Sequence, residues 1–174
     1  MVAICPKRDL VMSTALVKDA ISPIILNSLG TAVMKHISAA RGRGLVATRA
    51  LAVDSLIDVC PILHMNATDF KKCEKTILYN YLFGVGEEEG GIALGMGSLY
   101  NHESGDGANL RYEIVQENAP SGVNDKERAD YSVRYWAKRD IQAGDELVID
   151  YQQRFGNTYP LWFSYDSKAE AVKS

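Results

Sequence analysis

From Thr31 onward the chain runs as short apolar or alternating stretches broken by Gly, Asn and Asp, the pattern of a predominantly β domain. Residues 32–37, 44–47, 56–63 and 92–94 are strand candidates, and residues 110–115, 131–137 and 147–150 add three more. Alternation is clearest in Tyr131-Ser-Val-Arg-Tyr-Trp136, where successive side chains of a strand point to opposite faces. One segment departs from this rhythm. Residues 68–79 place Phe70, Cys73 and Ile77 at helical spacing and offer Thr68 or Asp69 as a cap, which predicts the best internal helix. Residues 87–91, Glu-Glu-Glu-Gly-Gly, read as a hairpin tip, and residues 118–130, rich in Pro, Gly, Asn and charge, as an exposed loop. Residues 1–30 carry Pro23 and Gly30 as punctuation and form an extension before the domain. Its apolar positions predict packing on the domain or on a partner chain.

Size and composition narrow the class. A chain of 174 residues accommodates one domain with a real core and not two ordinary ones. Hydrophobic residues at 47% and charged residues at 24% match an average globular protein, which sets aside disordered and fibrous classes. A formal charge of −3 argues against a surface built to hold a nucleic-acid backbone and better suits a basic peptide. Cys5, Cys60 and Cys73 stand apart, with no CxxC and no His at ligand spacing, so no metal site or disulfide framework is legible. Unpaired thiols favour an intracellular compartment. Lys7 and Arg8 precede an apolar run at residues 10–17 that Lys18-Asp19 interrupts. No run approaches the roughly 18 apolar residues that span a bilayer, and no membrane segment is expected.

Three short segments carry the chemistry: Arg41-Gly-Arg-Gly44, Ser98-Leu-Tyr-Asn-His102 and Gly144-Asp-Glu-Leu-Val-Ile-Asp-Tyr151. Each alone is weak, since Asn-His also reads as a capped turn and Gly-Asp-Glu-Leu as a turn entering a strand. Their order and spacing are informative together. In that order they resemble the markers of the SET-domain protein lysine methyltransferases: a Gly-x-Gly turn, an Asn-His segment and a Gly-Glu-Glu-Leu-x-x-Asp-Tyr segment. The resemblance covers roughly residues 33–155. Residues 57–62, 79–83 and 93–100 are similar to the small stand-alone members.

The resemblance implies a mainly β fold with few short helices, built of several small sheets with a knot-like C-terminal segment. It divides the chain into an extension at 1–30, a catalytic domain at 31–155 and a tail at 156–174. Zinc-binding cysteines that commonly follow the domain are absent, so Phe155, Tyr159, Trp162 and Phe163 are the candidates for closing the pocket by burial.

The implied activity is methyl transfer from S-adenosylmethionine to a lysine of a protein such as a histone, donor and acceptor arriving from opposite faces of the domain. Displacement at a sulfonium needs alignment and a free amine rather than a metal. A lysine with reference pKa about 10.4 must lose its proton, at a cost of roughly 4.6 kcal/mol at pH 7. An apolar channel and a neighbouring sulfonium both lower that cost. By the same resemblance Tyr151 is the catalytic residue, while Gly42, Arg43 and Gly44, with Asn101 and His102, hold the cofactor. Tyr79, Tyr81 and Tyr100 would wall the lysine channel, since aromatic faces suit an aliphatic stem with a cationic head. Ile149 stands where a Phe or Tyr limits the number of methyl groups added, which predicts transfer of more than one.

One departure affects this assignment. The family reads Asn-His-Ser, two residues, Pro-Asn, whereas here residues 101–109 read Asn-His-Glu-Ser-Gly-Asp-Gly-Ala-Asn, two residues longer and without Pro. That loop and the missing zinc cysteines leave open an enzyme of this fold acting on a small molecule, and because a fold does not guarantee a function a catalytically silent binding or oligomerisation module stays open as well. By analogy, a homodimer would also complete such a site.

Overall fold

A computed structural model describes residues 25–86, 88–117 and 130–153. These residues form two curled sheets. The first has the order β1-β2-β9-β6, from β1 (Ala32–Ser38), β2 (Gly42–Ala47), β9 (Glu146–Ile149) and β6 (Asn101–His102). The second has the order β4-β5-β3-β8-β7, from β4 (Leu82–Gly84), β5 (Gly90–Ala93), β3 (Leu56–Met65), β8 (Tyr131–Ala137) and β7 (Leu110–Gln116). β9 lies between β2, antiparallel to it, and β6, parallel to it.

Alternation in β8 does what the sequence suggests: Val133, Tyr135 and Ala137 are fully buried. They meet Ile57 and Cys60 of β3, and Leu45, Leu147 and Ile149 of the first sheet, in one core. Each fully buried aliphatic side chain contributes roughly 1.5–3 kcal/mol relative to exposure. Tyr135 is admitted because its hydroxyl donates to the Gly97 carbonyl at 2.6 Å, which satisfies the polar tip.

The expected helix over 68–79 is a correction. The α-helix α1 spans only Ala67–Cys73, is capped by Asn66, whose side chain accepts from the Asp69 amide, and buries none of its residues. A separate 3₁₀ turn follows at Ile77–Tyr81, capped by Thr76. The polar caps Asn66 and Thr76 each start a new element, so the apparent helical face never becomes continuous. Ile77 ends 72% exposed, and Phe70 instead covers Gly90, where an added Cβ would lie 2.2 Å from its ring. The hairpin expected near residues 87–91 is present between β4 and β5, closed by the Val85 amide donating to the Glu89 carbonyl. Its two glycines belong to β5 rather than to the turn.

Residues 25–30 pack against the domain. Asn27, almost fully buried, accepts from the Thr31 and Ala32 amides and donates to the Ile57 carbonyl at 2.8 Å. Residues 1–24, nearly all of the 118–130 loop, and Phe155, Tyr159, Trp162 and Phe163 lie outside the described residues. Among the described residues no helix is long and apolar enough to cross a membrane, and no group of His, Cys, Asp and Glu could hold a metal ion.

Candidate active site

The turn between β1 and β2 delivers Arg41, Gly42 and Arg43 to the edge of a cavity of about 370 Å³, with His36, Leu99 and Asn101 on its other sides. Gly42 has φ +66°, a backbone setting that glycine adopts at little cost. Gly44 is constrained differently. A Cβ there would lie 2.6 Å from Asn101 Nδ2 and 2.9 Å from Glu146 Oε1, so its hydrogen is what lets β2 and β6 flank β9 so closely.

A charged network stiffens this wall. Glu146 Oε1 accepts from Asn101 Nδ2 at 2.8 Å while Oε2 pairs with Arg41 at 3.3 Å. Asn101 Nδ2 also reaches the Arg43 carbonyl, and Arg41 Nη2 donates to the His102 carbonyl at 3.0 Å. Arg41 and Glu146 side chains are only 14% and 17% exposed, and Glu103 approaches Arg41 at 3.9 Å as a second carboxylate, so the cluster holds geometry in a setting where each lost charge is felt. Arg41 and Glu146 stand inside the first and third motifs, which by themselves assign neither a role. Charged residues inside glycine-marked motifs were the available signal.

His102 is buried, and it faces the structure rather than the cavity. Nδ1 accepts the Tyr151 amide at 3.1 Å and Nε2 lies 3.2 Å from Ser104 Oγ, which assigns the ring proton to Nε2. Burial lowers its pKa, outweighing the nearby carboxylates of Asp150 and Glu103 that pull the other way. A neutral ring is what accepting an amide requires, so the 3.9 Å approach of Asp150 to Nδ1 is not an ion pair at neutral pH.

The lengthened 101–109 loop is anchored. Arg139 Nη1 donates to the carbonyls of Asp106 and Ala108 and Nη2 to that of Gly107, while Lys138 Nζ donates to the Gly105 carbonyl. The Gly105 amide donates to Asp150. Asn109 is buried at the far end, donating to the Glu146 carbonyl and accepting the Val148 amide at 2.8 and 2.9 Å. The two extra residues therefore bulge outward while both asparagines stay docked on β9.

A second cavity of about 700 Å³ lies on the other side, walled by Tyr79, Tyr81, Phe83, Tyr112 and Ile149. Its rim carries Glu74, Glu88 and Glu89 alongside Lys71. Tyr81, Ser98, Tyr100 and Tyr151 border both cavities. Tyr151 donates its hydroxyl to the Tyr100 carbonyl at 2.9 Å. Burial lifts its pKa to about 12 despite the opposing charge of Arg41, so the hydroxyl keeps its proton at neutral pH. Ser98 Oγ donates to the Tyr81 carbonyl at 2.9 Å, fixing a second oxygen on the shared wall.

The residues singled out in the sequence thus divide into groups. Gly42, Arg43 and Asn101 line the smaller cavity, and Tyr79, Tyr81 and Ile149 the larger. Gly44 and His102 support the walls without lining either. Tyr100 borders both, but its ring is buried in the core with its hydroxyl on Asp58. Phe83, which ends the 79–83 segment without a role in the sequence, and Tyr112, which no motif marks, meet edge to face on this wall.

Comparison with known proteins bears on the family and the fold. The family model of the SET domain matches residues 42–152. The chain is 24% identical over 130 residues, 74% of its length and 75% of the relative's, to a histone-lysine N-methyltransferase, H3 lysine-37 specific, of Schizosaccharomyces pombe. A candidate histone methyltransferase of Plasmodium falciparum superposes with TM-score 0.51 at 24% identity, covering 69% of this chain and 96% of that one. CpSET8 from Cryptosporidium superposes with TM-score 0.50 at 23% identity, covering 69% and 56%.

Proposed function

The chain belongs to the SET-domain family, and on that premise we propose that it transfers methyl from S-adenosylmethionine to a lysine side chain of a protein such as a histone. The single observation that carries this reading is the Tyr151 hydroxyl on a wall common to two cavities. The smaller is of a size for a nucleoside-like ligand, with the backbone of residues 41–43 and the Asn101 amide at its margin. The larger is aromatic and suits a lysine stem.

When bound, S-adenosylmethionine supplies an electrophilic methyl on a sulfonium. The residues of this chain align the acceptor toward it. Arg41, Asn101 and Glu146 keep the donor side in one shape, as their hydrogen bonds support. Tyr81 and Ile149 exclude water from the amine, which favours its neutral form. The Tyr151 hydroxyl, held by the Tyr100 carbonyl, orients the acceptor without taking its proton. Ile149, fully buried and lacking a hydroxyl, leaves room for successive methylation.

The test is incubation with isotopically labelled S-adenosylmethionine and core histones or fractionated extract, followed by mass spectrometry of the labelled product. Label on lysine, carrying more than one methyl at exhaustion, is the expected result. Label on a metabolite alone would instead establish a small-molecule acceptor. A concentration series in light scattering separates a monomer from the homodimer considered above.

A further inference from the structure

We infer that Tyr100 is a positioning residue for the transfer, its ring hydroxyl anchored on the buried carboxylate of Asp58 so that its own carbonyl holds the Tyr151 hydroxyl in place. The inference rests on the role proposed above for Tyr151.

Asp58 lies on β3 and is 1% exposed, a costly place for a carboxylate unless its oxygens are satisfied. Donors converge on it, the Cys60 thiol among them. Ser28 Oγ reaches Oδ1 at 2.8 Å, the Val59 amide reaches Oδ1 at 3.0 Å, and the Tyr100 hydroxyl reaches Oδ2 at 3.3 Å. The methyl-transfer scheme makes no direct use of this group. A phenylalanine at position 100 would fill the same core volume against Tyr135, whose ring centroid is 4.3 Å away, and would spare the fold a buried hydroxyl. The polar anchor is therefore an addition that packing does not require.

Its effect falls on the backbone. Tyr100 lies between the 3₁₀ turn Gly97–Leu99 and β6, with φ −70° and ψ 123°. It falls outside the register of β6 on β9, which begins at Asn101. Its carbonyl is the acceptor of the Tyr151 hydroxyl. With the ring held at its tip by Asp58 and on its face by Tyr135, rotation of the Tyr100 peptide is restricted from the side-chain end. The residues run in one line, Ser28 to Asp58 to Tyr100 to Tyr151, from the N-terminal segment to the reacting centre.

Steady-state kinetics of Tyr100→Phe, Asp58→Asn, Tyr151→Phe and the wild type test this, together with calorimetric affinity for S-adenosylmethionine and thermal unfolding. A misplaced hydroxyl lowers kcat about tenfold in Tyr100→Phe, with cofactor affinity and peptide KM within twofold of wild type. Asp58→Asn keeps an acceptor oxygen for the phenol and holds kcat within about threefold of wild type. If Tyr100→Phe does not fold, Asp58→Leu, which takes the acceptor away from the phenol, carries the test through a kcat defect without a KM change. Wild-type kcat in every folded position-100 and position-58 variant, beside an inactive Tyr151→Phe, overturns this inference and leaves the proposed function standing. A loss that only parallels a drop in melting temperature or cofactor affinity overturns it as well. Absence of lysine methylation by the wild type removes both.

Discussion

The two cavities that meet at Tyr151 are built on different physics. The smaller is framed by charge and backbone: Arg41, Glu146 and Asn101 bond to one another and to main-chain oxygens across three strands. The larger is framed by ring packing, with Phe83 against Tyr112 and Tyr112 against Tyr135. A hydrogen-bonded frame tolerates little change in any member, since each lost partner leaves a buried group unsatisfied. A packed aromatic wall degrades more gradually, by area. Under the function proposed above, the methyl donor would meet the rigid frame and the acceptor the more adaptable one.

The largest effect should come where the cavities join. Tyr151→Phe should lower kcat by about 10²-fold or more with calorimetric affinity for S-adenosylmethionine unchanged, and a parallel loss of both would show that the shared wall is not a boundary. Next, Glu146→Gln should weaken cofactor affinity about tenfold, or roughly 1.4 kcal/mol, because Arg41 loses the nearer of its two carboxylate partners in a mostly covered site, Glu103 at 3.9 Å remaining; peptide KM should barely move. The mirror-image variant Phe83→Ala should raise peptide KM a few-fold and leave cofactor affinity alone. If either variant moved the other cavity's constant equally, the division would fail.

A smaller effect should follow pH. The folded-state pKa of His102 is depressed, so the unfolded chain binds the extra proton first and stability rises with pH. The contribution is complete above the unfolded value of about 6.5 and is lost as pH falls below it through the folded value. Melting temperature and cofactor affinity should therefore decline together on acidification, and His102→Gln should flatten that part of the profile. Smallest is Ile149→Phe, expected to leave turnover within a few-fold and shift the final product toward fewer methyl groups by intact mass.

How much the sequence disclosed follows the same division. Gly42, Asn101 and Tyr151 stand out only through the resemblance to the SET-domain markers, since alone they read as turns and a strand end, whereas the β8 alternation is legible because a strand has one buried face. The aromatic wall was only partly so. Tyr79 and Tyr81 stood out, but Tyr112 reaches the cavity from β7, whose pairing with β8 is a long-range event that local pattern does not encode. The short α1 was misread for a related reason: spacing cannot show that Asn66 and Thr76 cap separate turns. Asp58 falls within the 57–62 segment that the resemblance marks, but one acid in an apolar strand does not name its partners, Ser28 and Tyr100.

The clasp of Arg139 on the lengthened loop has a further consequence. Its guanidinium reads carbonyl oxygens at residues 106–108 and no side chain there. Such a grip is blind to residue identity, so exposed Asp106 is where this enzyme can drift, or be relabelled by an engineer, without its catalytic centre registering the change.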